Sequence, residues 1–466
     1  MGKREQNFDF LVLGGGSAGY AAARTAHELG KSVAVVDSGG ELSGLCILRG
    51  CMPSKTLIYS AEILHLAQKG DIFGFNGDKP VANLAAMQKR KRAVIKEFSD
   101  YRKEQLADGR FSLFREYGSF LDVHTIQLSG GEILRAEKIL ISTGSVVHAP
   151  DLPGLGDCSF KTSDDVLDLD YLPEECIVLG GGVVACELAQ FLSRVGCRVV
   201  QLQRSKHILK DFSPEASSVV EQAFRAEKID LYTGVSLQSF EQIGEQEIRV
   251  KFEQGGKSHQ LETSFLFNAL GRKPATTNLG LEKVGLICKR SGHVETNPFQ
   301  QTHISNIYAA GDCAGPHEIV HIAIKQGETA ARHAFGQPVP PMSYESLLTV
   351  VFTDPQVAKV GLSPDQIRNL GMEAVSASYP FDDHGKSILM EAKYGYVSVH
   401  ADRVSGRILG AECVSKDAGE LIHSLSVAVA LRATPEDLIK ADWYHPTLSE
   451  IWTYPLEDLA EELASN

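Results

Sequence analysis

Two cysteines, Cys46 and Cys51, stand five positions apart in this chain, and Met-Pro-Ser-Lys follows them directly. In a regular α-helix, residues five apart lie on different faces, with Cα atoms too distant for the roughly 4.4–6.8 Å span of a disulfide. We therefore expect the pair where a helix is only beginning or is distorted, and Pro53 suits a first helical turn. The spacing predicts a dithiol/disulfide that exchanges electrons with a cofactor. The alternative is two unrelated buried thiols, because free cysteine is common in cores.

A glycine-rich turn precedes the cysteines and is typical of a dinucleotide site. The sequence predicts an apolar strand at residues 8–13, the turn at 14–19, an alanine-rich helix at 20–29 and a second strand at 32–36. Gly14 would make the tight turn, Gly16 would let a pyrophosphate approach the backbone, and Gly19 would let helix and strand pack closely. Phosphates would lie at the helix N-terminus, and Asp37 would accept hydrogen bonds from a ribose. The alternative is a purely structural turn.

The same unit recurs once in the chain. Its strand, glycine turn, helix and second strand are predicted at residues 175–179, 180–185, 186–195 and 197–203. Two such units predict two bound nucleotides, which we interpret as a flavin and a nicotinamide rather than a single cofactor. This repeat is the main internal symmetry of the sequence.

The second unit lacks an acid at the end of its second strand. Gln203 and Arg204 stand there, with Lys206, His207 and Lys210 close behind. A carboxylate at this place would repel a 2′-phosphate, whereas guanidinium and ammonium groups bind one. The residues therefore predict a preference for NADPH over NADH. The alternative is a solvated basic loop.

Composition excludes several classes of function. The chain has 466 residues, too many for one core, and its net charge of −13 argues against a nucleic-acid partner. Nine cysteines, an odd number, do not resemble a disulfide framework and fit a reducing compartment. The sequence shows no apolar run near the ~20 residues of a membrane span and no signal peptide at its start. We predict a cytoplasmic protein with no metal site and no membrane partner.

Five ordered motifs resemble those of the flavoprotein disulfide reductases, the class I pyridine nucleotide-disulfide oxidoreductases that include glutathione reductase, lipoamide dehydrogenase and mercuric reductase. The resemblance runs from about Phe8 to about Glu457. The motifs are the cysteine segment at residues 46–55, a strand-turn at 141–144 and the return from the nicotinamide domain at 268–274. A second FAD motif at 302–312 and a C-terminal histidine signature at 445–450 follow.

The resemblance implies an α/β fold. It has two Rossmann-like dinucleotide-binding domains, one for FAD and one for NAD(P), and a C-terminal α+β dimerisation domain. The expected segments are a first FAD part at residues 1–150 and an NAD(P) domain at residues 151–274. A second FAD part or central segment follows at residues 275–341, and the interface domain at residues 342–466. The resemblance further implies a homodimer with a composite active site, because the family's histidine reaches the other subunit's disulfide.

The resemblance also implies catalytic roles. Electrons would pass from NADPH through FAD to a Cys46–Cys51 disulfide, with Cys51 as the charge-transfer thiolate and Cys46 attacking the substrate. His445 would shuttle the proton, and Glu450 would fix its tautomer. The other seven cysteines are interpreted as structural.

Further residues carry over from the family by position. Lys55 would pair with Glu187 beside the flavin. The residues expected to contact FAD are Gly14, Gly16, Ser17, Ala18, Gly19, Asp37, Ser38, Gly44, Lys55, Thr143, Gly144, Gly311, Asp312 and His321. The residues expected to contact NADP are Gly180, Gly182, Val183, Val184, Glu187, Gln203, Arg204, Lys210 and Gly271.

The sequence departs from the family pattern between the two cysteines. Ile47, Leu48 and Arg49 are bulkier and more cationic than the usual segment, and the chain ends without the C-terminal cysteine pair of the mercuric branch. The leading hypothesis is an NADPH-dependent reductase of a small or protein disulfide. The alternatives are an NAD-dependent dihydrolipoamide dehydrogenase, and a flavin reductase, transhydrogenase or redox sensor with an idle dithiol.

Overall fold

The computed structural model describes residues 5–38 and 40–465. The chain divides into two compact units, each built from three separate stretches. The first unit comprises Met1–Leu57, Ala85–His148 and Gly271–Ser343. The second comprises Ile58–Leu84, Ala149–Leu270 and Tyr344–Asn466. The division into four domains stays a prediction.

The first unit is organised around a seven-stranded sheet. Its strands lie in the order Ser112–Phe114, Val33–Val36, Glu5–Leu13, Ile133–Ile141, Thr125–Leu128 and Gly118–Asp122, with Ile307–Ala309 also paired to Ile133–Ile141. The strand Glu5–Leu13 pairs in parallel with both neighbours. A separate ladder joins Ser145–Val147 to Arg272–Pro274. Parallel strands require crossover connections, and the helix Ser17–Glu28 forms the one between Glu5–Leu13 and Val33–Val36.

The central strand of this sheet contributes to two cores. Phe10 and Val12 pack with the helices on one face, whereas Leu11 and Leu13 pack on the other. Burial on both faces explains the continuous apolar run, which is typical of parallel strands. The helices that lie wholly or partly in this unit are Ser17–Glu28, Gly44–Arg49, Cys51–Gln68, Leu84–Ala107 and Val320–Ala334, with a 3₁₀ turn at Leu281–Val284.

The second unit contains a parallel sheet built on the second glycine turn. Its strands lie in the order Asp230–Thr233, Arg198–Gln203, Glu175–Leu179 and Leu266–Asn268. An antiparallel sheet of Val235–Gln242, Ile248–Gln254 and Lys257–Thr263 packs against one face of it. The accompanying helices are Ser163–Leu167, Val183–Val195 and Pro214–Ala226, with 3₁₀ turns at Gly70–Phe73 and Leu155–Asp157.

The C-terminal part of this unit is an antiparallel sheet with helices. The strands lie in the order Leu348–Val351, Gln356–Gly361, Ile408–Ser415, Tyr396–Asp402 and Ala374–Pro380. The helices are Pro364–Asn369, Gly385–Leu389, Ala418–Leu431, Pro435–Ile439 and Thr453–Ala464, with a 3₁₀ turn at Ser449–Trp452. Buried Trp452 and Phe381 belong to the core between them. Helices gathered on an antiparallel sheet make an α+β arrangement, so the predicted fold class is confirmed.

Candidate active site

The cysteine pair lies at a break between two helices. Cys46 is in the helix Gly44–Arg49, and Cys51 begins the helix Cys51–Gln68 after Gly50. A Cβ atom on Gly50 would stand 3.1 Å from the Leu45 carbonyl oxygen and 3.3 Å from the Cys46 Cα atom. The Ser54 hydroxyl donates to the Gly50 carbonyl at 2.8 Å and so fixes the first turn of the second helix. The pair therefore spans the break between two helices, and only Cys51 stands where a helix begins.

The two sulfur atoms are in contact as thiols. Both cysteines are thiols, and both are half-buried. A hydrogen bond with the Cys51 side chain raises the pKa of the Cys46 thiol well above its usual range, burial raises it further, and the Lys55 ammonium opposes the rise. Adjacent thiols titrate as a coupled pair, and we expect such a pair in the reduced form of a dithiol/disulfide couple. The structure thus brings Cys46, Cys51 and Lys55 together, and the disulfide itself stays a proposal.

Most other cysteines lie in different surroundings. Six of them are buried, at positions 158, 176, 186, 197, 313 and 413. Burial raises the pKa of Cys186 and Cys413 to about 12, so these thiols stay protonated and unreactive. Cys288 alone of the remaining seven is half-buried.

The cysteine segment packs directly against the first glycine turn. Gly44 has a φ of +77°, and a Cβ atom there would lie 2.6 Å from the Gly16 Cα atom. The Ser43 hydroxyl just before it donates to the Ser99 carbonyl at 3.2 Å, which ties the segment to the helix Leu84–Ala107. The helix that carries Cys46 therefore starts at the turn predicted to hold the FAD pyrophosphate.

The first glycine turn has the backbone geometry of a phosphate cradle. Gly14 has a φ of +102°, and a Cβ atom there would lie 2.4 Å from the Ser142 carbonyl oxygen. No side chain of residues 5–38 and 40–465 caps the helix Ser17–Glu28 after Gly16, so the amides of its first turn, including those of Ser17, Ala18 and Gly19, can donate to an anion. The Gly15 amide donates to Asp37 Oδ2 at 2.7 Å. These residues fit the predicted FAD site, and Ser38 follows Asp37 directly.

A second group of the predicted FAD residues gathers in the same unit. The Ser145 hydroxyl donates to Asp312 Oδ2 at 2.6 Å, and Arg272 Nε donates to that hydroxyl at 2.8 Å. Thr143 and Gly144 precede Ser145, and Gly311 donates its amide to Gln326 Oε1 at 2.7 Å. The sequence analysis assigned no role to Ser145, which follows the motif at residues 141–144, or to Arg272, which lies within the motif at residues 268–274.

Two more of the residues predicted to contact a cofactor, His321 and Gly271, also lie in the first unit. His321 is exposed in the first turn of the helix Val320–Ala334. Gly271, predicted for NADP, accepts a hydrogen bond from the His148 amide at 3.0 Å, beside the ladder that contains Ser145. The first unit therefore holds Gly271 near the predicted FAD residues.

The second glycine turn repeats the backbone of the first. Gly180 has a φ of +115°, and a Cβ atom there would lie 2.6 Å from the Ala269 carbonyl oxygen. Gly182 faces open space, and Val183 and Val184 after it are exposed. No side chain in the described part of the chain caps the helix Val183–Val195. The turn can therefore bind a second pyrophosphate.

The residues after the second turn divide into buried and exposed groups. Gln203 is 8% exposed and lies beneath Gly181, with its Oε1 atom accepting from the Arg204 amide at 3.1 Å. Lys210 forms an ion pair with Asp211 at 3.1 Å. Arg204 and Lys206 are exposed, and within the described ranges no ion pair holds either side chain.

The predicted proton-transfer pair is formed in the second unit. His445 Nδ1 lies 3.1 Å from Glu450 Oε1 and 3.0 Å from Oε2. The His445 side chain is 77% exposed, whereas that of Glu450 is 13% exposed. A carboxylate on Nδ1 keeps the proton there and leaves Nε2 for proton transfer. A buried histidine, His384, also approaches Glu450 at 3.4 Å, and no sequence motif indicated it.

Lys55 and Glu187 belong to different units. Glu187 lies in the helix Val183–Val195, is 3% exposed and accepts a hydrogen bond from the Phe352 amide at 2.9 Å. Their predicted pairing beside a flavin stays a proposal.

The described residues contain neither a metal-binding cluster nor a membrane-spanning helix. They contain no cluster of histidine, cysteine and acidic side chains that could hold a metal ion. None of their helices is both long and apolar enough to cross a membrane.

The fold and site define a class of protein: a two-nucleotide oxidoreductase with a dithiol packed against one of its nucleotide turns. Residues 8–327 match the pyridine nucleotide-disulphide oxidoreductase family, and residues 347–455 match the dimerisation domain of that family. The chain belongs to the pyridine nucleotide-disulphide oxidoreductase family, and the predicted family is confirmed. It is a flavoprotein enzyme of a family that uses FAD with a pyridine nucleotide.

The similarity extends over nearly the whole chain. A mercuric reductase of Staphylococcus aureus is 32% identical over 451 residues, covering 96% of this chain and 81% of that protein. A dihydrolipoyl dehydrogenase of Chlamydia muridarum is 31% identical over 449 residues, covering 96% and 95%. The crystal structure of LpdA from Mycobacterium tuberculosis has a TM-score of 0.86 and 26% identity, covering 97% and 99%.

Proposed function

We propose that this enzyme uses NADPH, by way of bound FAD and the Cys46–Cys51 pair, to reduce a small-molecule or protein disulfide. The balanced reaction is NADPH + H⁺ + RSSR → NADP⁺ + 2 RSH. FAD, when bound, supplies the two-electron chemistry that links a nicotinamide to sulfur. The observation that carries the proposal is the contact between the two thiols, one of which, Cys46, lies on a helix that starts against the first glycine turn.

The residues of the chain have distinct roles in this proposal. Cys46 attacks the substrate disulfide as a thiolate, which releases the first substrate thiol and leaves Cys46 in a mixed disulfide. Cys51 then attacks the Cys46 sulfur, which releases the second substrate thiol and closes the Cys46–Cys51 bond. Lys55 favours the thiolate because its ammonium lowers the pKa of Cys46. His445 Nε2 donates the proton that the leaving thiolate needs, while Glu450 holds the proton on Nδ1.

The deciding experiment is an anaerobic NADPH titration of the holoenzyme followed by a panel of disulfides. The panel includes lipoamide, and Hg²⁺ is tested separately as a substrate that is not a disulfide, because relatives are named for these two compounds. Cys46→Ser is expected to reduce disulfide turnover more than 10³-fold, since the attacking sulfur is lost. The matched control is Cys288→Ser, which removes a half-buried thiol elsewhere and should leave turnover unchanged. Full activity in Cys46→Ser would support a flavin reductase with an idle dithiol.

The proposed enzyme is a homodimer in which each dithiol meets the partner's His445. The dimerisation domain and the 77% exposure of the His445 side chain support this arrangement. Mixing Cys46→Ser subunits with His445→Gln subunits should restore activity, because each mixed dimer then contains one intact dithiol facing one intact histidine. Mixtures that stay as inactive as either parent, with subunit exchange verified by mass spectrometry, would contradict the composite site.

The second candidate function is an NAD-dependent dihydrolipoyl dehydrogenase. The 31% identity over nearly the full length of such an enzyme favours it. Gln203 and the exposed cations after it favour NADPH instead, because the ribose-binding acid of an NAD site is missing. Rates with NADPH and NADH, measured side by side, distinguish the two candidates.

A further inference from the structure

The buried side of Glu450 faces a second histidine that has no part in the function proposed above. His384 precedes the short helix Gly385–Leu389 and is 1% exposed. Its Nδ1 atom lies 2.9 Å from the Ser387 hydroxyl, and its Nε2 atom lies 3.4 Å from Glu450 Oε1. Glu450 therefore stands between an exposed imidazole, His445, and a buried one.

The buried Nε2 atom of His384 requires a partner. It has no aligned hydrogen bond in the described part of the chain, and Glu450 Oε1 is the acceptor within reach. An unsatisfied buried donor costs about 1–3 kcal/mol. A shift of a few tenths of an ångström by the carboxylate would complete the bond, whose usual length is about 2.9 Å.

The surroundings of His384 select its tautomer. Burial lowers the pKa of His384, so the ring is neutral near pH 7 and carries one N–H. The Ser387 hydroxyl can donate to Nδ1, which leaves the ring proton on Nε2, directed at Glu450. The proton positions follow from this hydrogen-bond network.

We propose that His384 is a positioning residue for the proton-transfer histidine. Its Nε2–H holds Glu450 Oε1, so that the carboxylate keeps the proton of His445 on Nδ1 and the His445 Nε2 atom stays free to exchange protons with the dithiol. A carboxylate has enough lone pairs to accept from both imidazoles. This inference rests on the proposed disulfide reductase function, because only thiol chemistry uses His445.

The test compares two half-reactions of the holoenzyme in His384→Leu and His384→Gln. Gln can present a donor near the place of Nε2, whereas Leu cannot. We expect His384→Leu to slow disulfide turnover about tenfold, part of the roughly 10²–10⁴-fold that a general acid supplies. The NADPH-to-ferricyanide rate, which does not need His445, should stay unchanged, and His384→Gln should recover most of the loss. The control His400→Leu removes another buried histidine, bonded to Ser376.

A double-mutant cycle shows whether His384 acts through Glu450. In a Glu450→Gln background, His384→Leu should add less than a twofold loss, because the group it positions has changed. Independent, multiplying losses would overturn the inference, as would equal losses in His384→Gln and His384→Leu. If His384→Leu does not fold, the cycle uses His384→Gln and His384→Asn, where Asn should be the more impaired.

A readout without turnover separates this inference from the proposed function. The rate at which diethyl pyrocarbonate modifies His445, followed by mass spectrometry, reports the nucleophilicity of Nε2. We expect a severalfold decrease in His384→Leu and a near-normal rate in His384→Gln. An unchanged rate in His384→Leu refutes the positioning role. If the wild-type enzyme reduces no disulfide but His384→Leu still shows this decrease, the proposed function alone is refuted.

Discussion

The two glycine turns of this chain begin in the same way. Gly14 and Gly180 both have a positive φ, and in each turn a main-chain carbonyl oxygen lies within 2.6 Å of where a Cβ atom would be. Each turn leads from a parallel strand into a helix without a side-chain cap in the described residues. The backbone therefore offers the same phosphate-binding geometry twice.

The turns differ at their third glycine position. In the first turn a Cβ atom on Gly19 would lie 1.8 Å from the Gly14 carbonyl oxygen. In the second turn Ala185 occupies this position, and its methyl group is buried. The first helix therefore approaches its own turn more closely than the second helix does.

The turns also differ at the end of the following strand. Asp37 accepts the amide of Gly15, whereas Gln203 lies beneath Gly181 and accepts the amide of Arg204. An anionic acceptor suits the hydroxyls of an adenosine ribose and rejects a 2′-phosphate. From this comparison we predict that one backbone design binds pyrophosphate in both units, while the side chain at the strand end selects the nucleotide.

The largest effect is expected from a methyl group at the first turn. Gly19→Ala should abolish FAD retention and lower the thermal midpoint, because the added Cβ collides with backbone that cannot move away cheaply. Gly182→Ala is the control in the second turn, where a Cβ atom meets open space and FAD retention should be unaffected. Flavin absorbance after gel filtration and a thermal melt measure both. Equal FAD content in the two variants would contradict the difference in packing.

The second effect concerns the exposed cations. Replacing both Arg204 and Lys206 by Gln should lower the kcat/KM ratio of NADPH to NADH by roughly 10–100-fold, as expected for the loss of hydrogen bonds between charged groups worth about 1.5–3 kcal/mol. Lys251→Gln with Lys257→Gln removes the same charge from an exposed antiparallel sheet and is the control. A ratio that changes equally in both double variants reflects net charge and not recognition.

The sequence predicted what short-range patterns determine. Both glycine turns and the beginning helix at Cys51 follow from residues adjacent in the chain. The helix starts were predicted too late, at 20 and 186 instead of Ser17 and Val183, because both glycine motifs were assigned to turns through their last residue, although the free amides that follow Gly16 and Gly182 suit a first helical turn.

Long-range contacts were not predictable in this way. His384 reaches Glu450 only because the C-terminal sheet and helices fold together, and its segment contains no recognisable motif. Arg272 lies within a recognised motif, but its contact with Ser145 also depends on folding, because it crosses the ladder between Arg272–Pro274 and Ser145–Val147. Positions of this kind depend on tertiary packing, which local residue patterns do not encode.

The smallest effect is expected when the second turn is made to resemble the first. Gln203→Asp places a carboxylate beneath Gly181, where it can accept that amide as Asp37 accepts the amide of Gly15. The negative charge should lower the NADPH-to-NADH ratio by about three- to fivefold, less than the loss of both cations, since Arg204 and Lys206 would still attract a phosphate.

The control for this variant is Gln238→Asp, which adds the same charge at an exposed position of the strand Val235–Gln242. FAD content should be unchanged in both, because the first turn is untouched. A Gln203→Asp enzyme that gains NADH activity while its KM for NADPH rises would show that the strand end selects the nucleotide. If only kcat falls, with both KM values constant, the buried Gln203 side chain supports the turn and takes no part in selection.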